Sequence, residues 1–303
     1  MTVRVAAIGE CMLELSGGSA SEMTLSFGGD TLNTSVYLAR LGLVVDYLTA
    51  LGDDPYSDNM IAAWQAEGIG TSLVVRAADR LPGLYIIRTD ASGERQFHYW
   101  RQTAPARELP EFPNWQQLAD HLPSCGLIYF SGITLSLYST ASRERLREAL
   151  SAARDAGSRI AFDTNYRPRV WPNAATARGV IESFLPLVDI ALPTLDDEAD
   201  LFGETDAERC ADRLHNAGIS EVAIKLGADG CLFSSTDERR TINAPITHEP
   251  IDTTGAGDAF NAGYLAARLM GDDPATAANK ANLLAGKSVM HRGAVIPLTA
   301  MPR

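Results

Sequence analysis

The chain has 303 residues, 46% hydrophobic and 21% charged, a balance typical of soluble globular proteins and unlike a disordered or fibrous one. A net charge of −12 argues against nucleic acid or an anionic membrane as the main partner, because both call for a basic surface. A chain of this length buries about three quarters of its unfolded surface, enough for a large rigid core.

Val3 to Ile8 is an apolar run ending at Gly9 and reads as a strand buried on both faces. Asn33 to Leu41 has helical periodicity and stops at Gly42, and Leu43 to Leu51 is a further apolar run. Leu84 to Thr89 and Arg95 to Arg101 flank Asp90-Ala91-Ser92-Gly93, a turn signal that predicts a β-hairpin. Together with residues 12–27, segment 82–103 is expected to form a small β lid over one end of the core. Strand and helix then alternate, with strands at Leu127 to Ser131, Arg159 to Asp163, Ile190 to Leu192 and Glu221 to Leu226. The helices between them are Ser142 to Asp155, Ala174 to Leu185, Asp197 to Phe202 and Ala207 to Ala217. This rhythm predicts an α/β fold, a doubly wound, mostly parallel sheet flanked by helices. No linker, low-complexity tract or repeat interrupts it, so one domain over residues 1–303 is expected. Cys11, Cys125, Cys210 and Cys231 form no metal or CxxC pattern and read as free buried thiols. With no signal peptide or membrane span evident, a cytoplasmic location is expected.

The densest chemistry lies in Asp252-Thr253-Thr254-Gly255-Ala256-Gly257-Asp258, just before an apolar helical pattern. Gly255 and Gly257 let successive backbone N–H groups point into one concavity at a helix N-terminus, which binds an anion without a basic side chain. Asp258 in the first helical turn is either a cap, worth about 0.5–2 kcal/mol, or a general base beside a phosphate. Gly28-Gly29 is either a tight turn or a place where sugar hydroxyls approach the backbone, with Asp30 and Asn33 supplying hydrogen bonds. Lys225, Gly227 and Gly230 follow a strand, as a plain connection or as part of a nucleotide site. Tyr99 and Arg101 alternate on one strand face, Tyr85 is on the paired strand, and Arg167 and Arg169 follow the Phe162-Asp163 strand end. An arginine pair converging from lid and sheet would hold a carboxylate bidentately; the competing reading is a solvated strand end over packed aromatics.

The Asp252 to Phe260 stretch resembles the C-terminal signature of the ribokinase (PfkB) carbohydrate-kinase family, and Gly28-Gly29 followed by Asn33 resembles its N-terminal one. The resemblance spans essentially the whole chain. It implies a ribokinase-like fold and an ATP-dependent kinase using Mg2+, with the monovalent-cation requirement open. It further implies that Asp258 is the catalytic base, that the Gly255, Ala256 and Gly257 amides form the anion hole, and that Asp252 lies near the metal-bound phosphates. Lys225, Gly227, Gly230 and Asn282 would line the ATP site, with Arg292-Gly293-Ala294 bordering adenine. Glu198 would contact magnesium through water, although the asparagine of the family's Asn-x-x-Glu has no match here. Leu-Pro-Gly-Leu-Tyr, Tyr-Trp-Arg and Asn-Tyr-Arg-Pro-Arg are similar to segments of family members acting on a 2-keto-3-deoxy sugar acid. That likeness puts Gly29, Tyr85, Tyr99, Arg101 and Arg167 on the sugar, with Asn33 a further candidate beside Asp30, which the Gly28-Gly29 reading already places there. A neutral ketose such as fructose, and a non-catalytic sensor of the same fold, are the alternatives. The aromatic hairpin is also a candidate surface for a homo-oligomer through the lid.

Overall fold

Strands whose residues are apolar on both faces must lie between two layers of other structure, and the chain supplies those layers as helices. The computed structural model describes residues 3–17, 22–89, 95–245 and 249–302; the Asp90-Ala91-Ser92-Gly93 turn lies outside the described residues. The first half of the chain runs β1 (Arg4–Ile8), β2 (Met12–Ser16), β3 (Thr24–Gly28), α1 (Asp30–Arg40), β4 (Val44–Leu48), β5 (Ala50–Gly52), α2 (Pro55–Ala66), β6 (Val75–Ala77), β7 (Leu84–Thr89), β8 (Arg95–Trp100) and α3 (Trp115–His121). It continues through β9 (Leu127–Ser131), α4 (Gly132–Leu137), α5 (Thr140–Asp155), β10 (Arg159–Asp163), α6 (Ala174–Phe184), β11 (Ile190–Ala191), α7 (Leu195–Phe202) and α8 (Ala207–Asn216). Three strands and two helices follow: β12 (Glu221–Lys225), β13 (Cys231–Ser235), β14 (Arg239–Ile242), α9 (Ala256–Leu269) and α10 (Pro274–Ser288).

The large sheet has the order β14-β13-β12-β11-β10-β9-β1-β4. From β4 to β12 all neighbours are parallel, and β13 and β14 fold back antiparallel at one edge. Alternation along the strands divides the core in two. Ala6, Ile8, Ile128, Phe130, Ile160 and Phe162 pack towards α3 to α8, whereas Val5, Ala7, Leu127, Tyr129 and Ala161 pack towards α1, α2, α9 and α10. The expected doubly wound α/β sheet is therefore present. A separate sheet of order β3-β2-β7-β8 comes from the two predicted lid segments, with β2 and β7 parallel and each outer pair antiparallel.

Three local differences from the sequence reading have physical reasons. Helix α1 begins at Asp30 rather than Asn33, because extended Gly29 (φ −177°) serves as its N-cap and Asn33 lies one turn inside. The apolar run 43–51 is two strands, since the chain leaves the large sheet after Leu48 and β5 pairs with β6. The β13–β14 hairpin is short and lies at an edge, where alternation over four or five residues gives little signal. All four cysteines are free and buried. Among the described residues, no helix is long and apolar enough to cross a membrane.

Two glycines let the loop after β1 cross the start of α1 at backbone contact. A Cβ on Gly9 would stand 2.0 Å from Thr31 Oγ1, and one on Gly29 would stand 2.1 Å from the carbonyl oxygen of Glu10. We expect Gly29→Ala to cost about 1–3 kcal/mol, seen as a thermal midpoint several degrees lower in a melt of the variant beside the parent chain.

Candidate active site

The carboxyl ends of β1, β9, β10 and β12 share one edge of the parallel sheet, where open α/β sheets bind ligands. Helix α9 starts there. Its N-cap, Gly255, has φ +71°, and no side chain caps the helix. A Cβ at position 255 would also lie 2.7 Å from Ala294 Cα, so conformation and space both require glycine. The Ala256 N–H donates to the Thr253 carbonyl at 3.2 Å. Among the described residues, the next two amides, of Gly257 and Asp258, have no backbone acceptor, which leaves the helix end with the open donors an anion site needs. Asp252 shapes the preceding loop: its carboxylate accepts from the Thr254 N–H at 3.0 Å and the Gly293 N–H at 2.9 Å.

Asp258 does not cap α9. Its carboxylate is buried and accepts a hydrogen bond from Asn33 Nδ2 at 2.9 Å. Burial is the main force holding its proton, reinforced by the charges of Asp30 and Asp163, while Asn33 and Lys225 oppose them; its pKa is pushed up to about 7. Asp30 accepts from Ser131 Oγ at 2.5 Å and Asn165 Nδ2 at 2.8 Å. Asn165 adopts φ +34° and its N–H donates to Asp163 Oδ1 at 3.1 Å, a local turn that asparagine tolerates better than most residues.

Under the first turn of α9 lies a buried polar cluster. Lys225 Nζ donates to Asp163 Oδ2 at 2.7 Å and Asn261 Oδ1 at 3.0 Å, and Asn261 Nδ2 donates to the same Asp163 oxygen at 2.7 Å and to the Tyr129 hydroxyl at 3.1 Å. A Cβ on Gly257 would lie 3.5 Å from Lys225 Nζ, which places the amine directly below the anion-binding turn. On the other side of Lys225, a cavity of about 350 Å³ is bordered by Asp196, Leu226, Gly227 and Asp229. Gly227 and Gly230 have φ +60° and +96°, and a Cβ on Gly230 would meet the Ile242 carbonyl at 2.1 Å. Asn282 is buried behind this region and donates to the same Ile242 carbonyl at 3.0 Å.

The small sheet brings Tyr85 opposite Tyr99, ring centroids 5.9 Å apart, with Phe97 stacked on Tyr99. Arg101, Arg167 and Arg169 all act electrostatically on the Tyr99 hydroxyl, so lid and sheet arginines converge. Both expected carboxylate binders already have partners. Arg101 is buried in an ion pair with Glu10, leaving its Nε without an acceptor, and half-exposed Arg167 donates to Asp197 at 2.8 Å. Glu198 is fully buried against Arg213, and its Oε1 has no partner. The acid of that turn facing the cleft arginine is Asp197. Sequence reasoning passed over Glu10, Asp163, Asn165, Ser131 and Asn261. Their signal was a polar residue ending or interrupting an apolar element at the sheet's carboxyl edge.

The pfkB family carbohydrate kinase pattern matches residues 3–301. A 2-dehydro-3-deoxygluconokinase of Dickeya dadantii is 46% identical over 309 aligned residues, covering 99% of each chain. Its namesake from Escherichia coli K12 is 45% identical over 100% of both. Among solved structures, a PfkB protein from Polaromonas superposes with a TM-score of 0.85 at 26% identity, covering 95% of this chain and 96% of that one. Aminoimidazole riboside kinase from Salmonella enterica gives 0.81 at 25%, covering 99% and 96%.

The Asn33 hydrogen bond favours the ionised form of Asp258. Replacing Asn33 by leucine should therefore move the Asp258 carboxyl titration, followed by carbon-13 NMR, upward from about 7. A downward or absent shift would mean that the bond contributes nothing to the charge of Asp258.

Proposed function

The chain belongs to the pfkB family of carbohydrate kinases, and on that premise we propose that it transfers the γ-phosphoryl group of ATP to the terminal hydroxyl of 2-dehydro-3-deoxygluconate. The full-length curated relatives support the substrate. The observation that carries the chemistry is a buried carboxylate at the mouth of the anion-binding turn, oriented by Asn33 and titrating near neutrality. In this reading Asp258 accepts the proton of the substrate hydroxyl as its oxygen attacks the γ-phosphorus in line. The Gly257 and Asp258 amides and the helix end stabilise the transferring charge; a single oxyanion donor of this kind contributes about 2.7–4 kcal/mol.

The nucleotide enters as its magnesium complex, over Lys225, Gly227 and Gly230. Among the described residues, no group of three or more His, Cys, Asp or Glu could hold a metal ion; magnesium would come with the nucleotide, where it would offset the charge of the phosphates. Asp252 then acts by fixing the loop beside the phosphates, and Glu198 would act only through an intervening water. Asp30 orients sugar hydroxyls, Gly29 lets the sugar approach the backbone, and Tyr85 and Tyr99 cover it. Arg101, through its unpaired Nε, and Arg167 hold the carboxylate as the small sheet closes. That sheet also exposes Leu25 and Trp100, 48% and 56% accessible, as the contact surface of a homo-oligomer.

One observation favours a neutral ketose instead: Glu10 and Asp197 already neutralise Arg101 and Arg167. A coupled ATP assay over sugar acids and neutral sugars decides between the two. Arg101→Ala or Arg167→Ala should raise KM for the sugar acid far more than for fructose, and equal losses would remove the carboxylate assignment. Asp258→Asn should lower kcat by roughly 10²–10⁴ with nucleotide binding kept. Because the base works only when ionised, kcat/KM should rise with pH along a limb centred near 7. The same raised pKa means that folding stability falls as pH climbs from about 4 to 7 and Asp258 is forced to ionise in the interior. The asparagine variant should accordingly melt about 2–4 °C above the parent at pH 8 and lose that advantage near pH 4.

A further inference from the structure

We propose that the cavity of about 540 Å³ bordered by Arg107, Arg143 and Arg169 is a second anion site, built for a small organic dianion and separate from the phosphoryl-transfer cleft. The site goes beyond the kinase reading, although its test rests on that reading in using the sugar acid to fill the sugar end of the cleft.

Arg40, Arg101, Arg159, Arg167, Arg213 and Arg268 each have a carboxylate partner. Among the described residues, Arg107, Arg143 and Arg169 have no ion-pair partner; several other arginines, Arg145 and Arg178 among them, also lack one and donate to carbonyls instead, and what sets these three apart is that they border one cavity. Arg143 is held by its Nε donating to the Leu135 carbonyl at 2.8 Å and by its guanidinium lying 5.5 Å from the centre of the Trp171 ring, which leaves its outer N–H groups free. Of the two carboxylates on the rim, Glu108 is neutralised by an ion pair, whereas Glu111 is held by hydroxyls and keeps its charge, leaving a surplus of two positive charges around the space. Glu111 accepts from Ser139 and Ser142, and Glu108 pairs with Arg80 at 3.2 Å. Two further wall residues, Tyr138 and Trp171, carry a buried hydroxyl and ring N–H with no acceptor.

Guanidinium groups match carboxylate and phosphate oxygens in pairs, and three around one space suit two negative charges better than one. The volume is that of a small-molecule pocket rather than of a single inorganic ion. A phosphate ester and a dicarboxylate share this chemistry. The cavity also adjoins the sugar end of the cleft, because Arg107 acts on Glu10, the partner of Arg101, and Arg169 acts on Tyr99.

The test is calorimetric titration of the whole chain with inorganic phosphate and, separately, malonate. Saturating magnesium, a non-hydrolysable ATP analogue and the sugar acid are present, so that the catalytic anion hole and the sugar site are filled. Saturable binding of one equivalent is expected, with the tighter of the two probes distinguishing phosphate esters from dicarboxylates. Arg107→Gln should weaken it about tenfold or more without changing kcat at saturating substrates. Among the described residues the Arg107 side chain makes no hydrogen bond, and the backbone bond from its N–H to the Ala104 carbonyl survives substitution, so Arg107→Gln keeps the fold even if Arg143→Gln does not. Absence of saturable binding, or binding indifferent to Arg107→Gln, would overturn the site. So would binding seen only when the sugar acid is left out, since the cavity would then be part of the sugar cleft.

Discussion

One buried ion pair underlies the working edge of the sheet. Lys225 ends β12, Asp163 ends β10, and their contact crosses the short strand β11 to join them beneath α9, with Asn261 of that helix as the third member. Removing either charge would strand the other in the interior, which costs far more than the pair itself contributes. The cluster fixes the height and direction of the helix end, and with it the two open amides and Asp258. Three carboxylates, Asp30, Asp163 and Asp258, converge on this region, opposed by buried Lys225 and, from the rim, by Arg167. Burial, reinforced by that crowding of carboxylates, is why Asp258 retains its proton to near neutrality. The same crowding, costly to the folded state, leaves a carboxyl that changes charge near physiological pH.

Much of this was legible in the sequence because glycine is a local signal. Gly255 needs a left-handed backbone and Gly29 a close crossing, and both constraints show as glycines beside polar residues at the start of a helix. Strand and helix alternation gave the sheet for a similar reason, since burial on both faces leaves continuous apolar runs. Pairing partners were the hidden part. Arg101 is visible on its strand, but Glu10 lies 91 residues away and looks like the residue after a strand; Arg167 meets Asp197 across 30 residues. Asn261 sits inside an apolar helix, where one polar residue carries no mark of what it faces. The free or spent state of a charge is a property of the fold, and no local pattern records it.

Charge pairing separates two uses of arginine here. Arg101 and Arg167 are held by carboxylates and so are rigid, half-neutralised donors. Those bordering the neighbouring cavity are anchored by a carbonyl or an aromatic face, or by nothing, and keep their full charge. In a chain of strong negative charge, such local surpluses set where anions come to rest.

The contact between Asn33 and Asp258 spans 225 residues of chain, and Tyr37 of the same N-terminal helix bonds the Ala294 carbonyl and the Ile296 amide. The start of the chain is thus tied by side-chain bonds to α9 and to the segment after α10, and the edge of the sheet where Asn33 meets Asp258 is completed only by contacts of very high sequence separation, the kind that closes late relative to local strand and helix units.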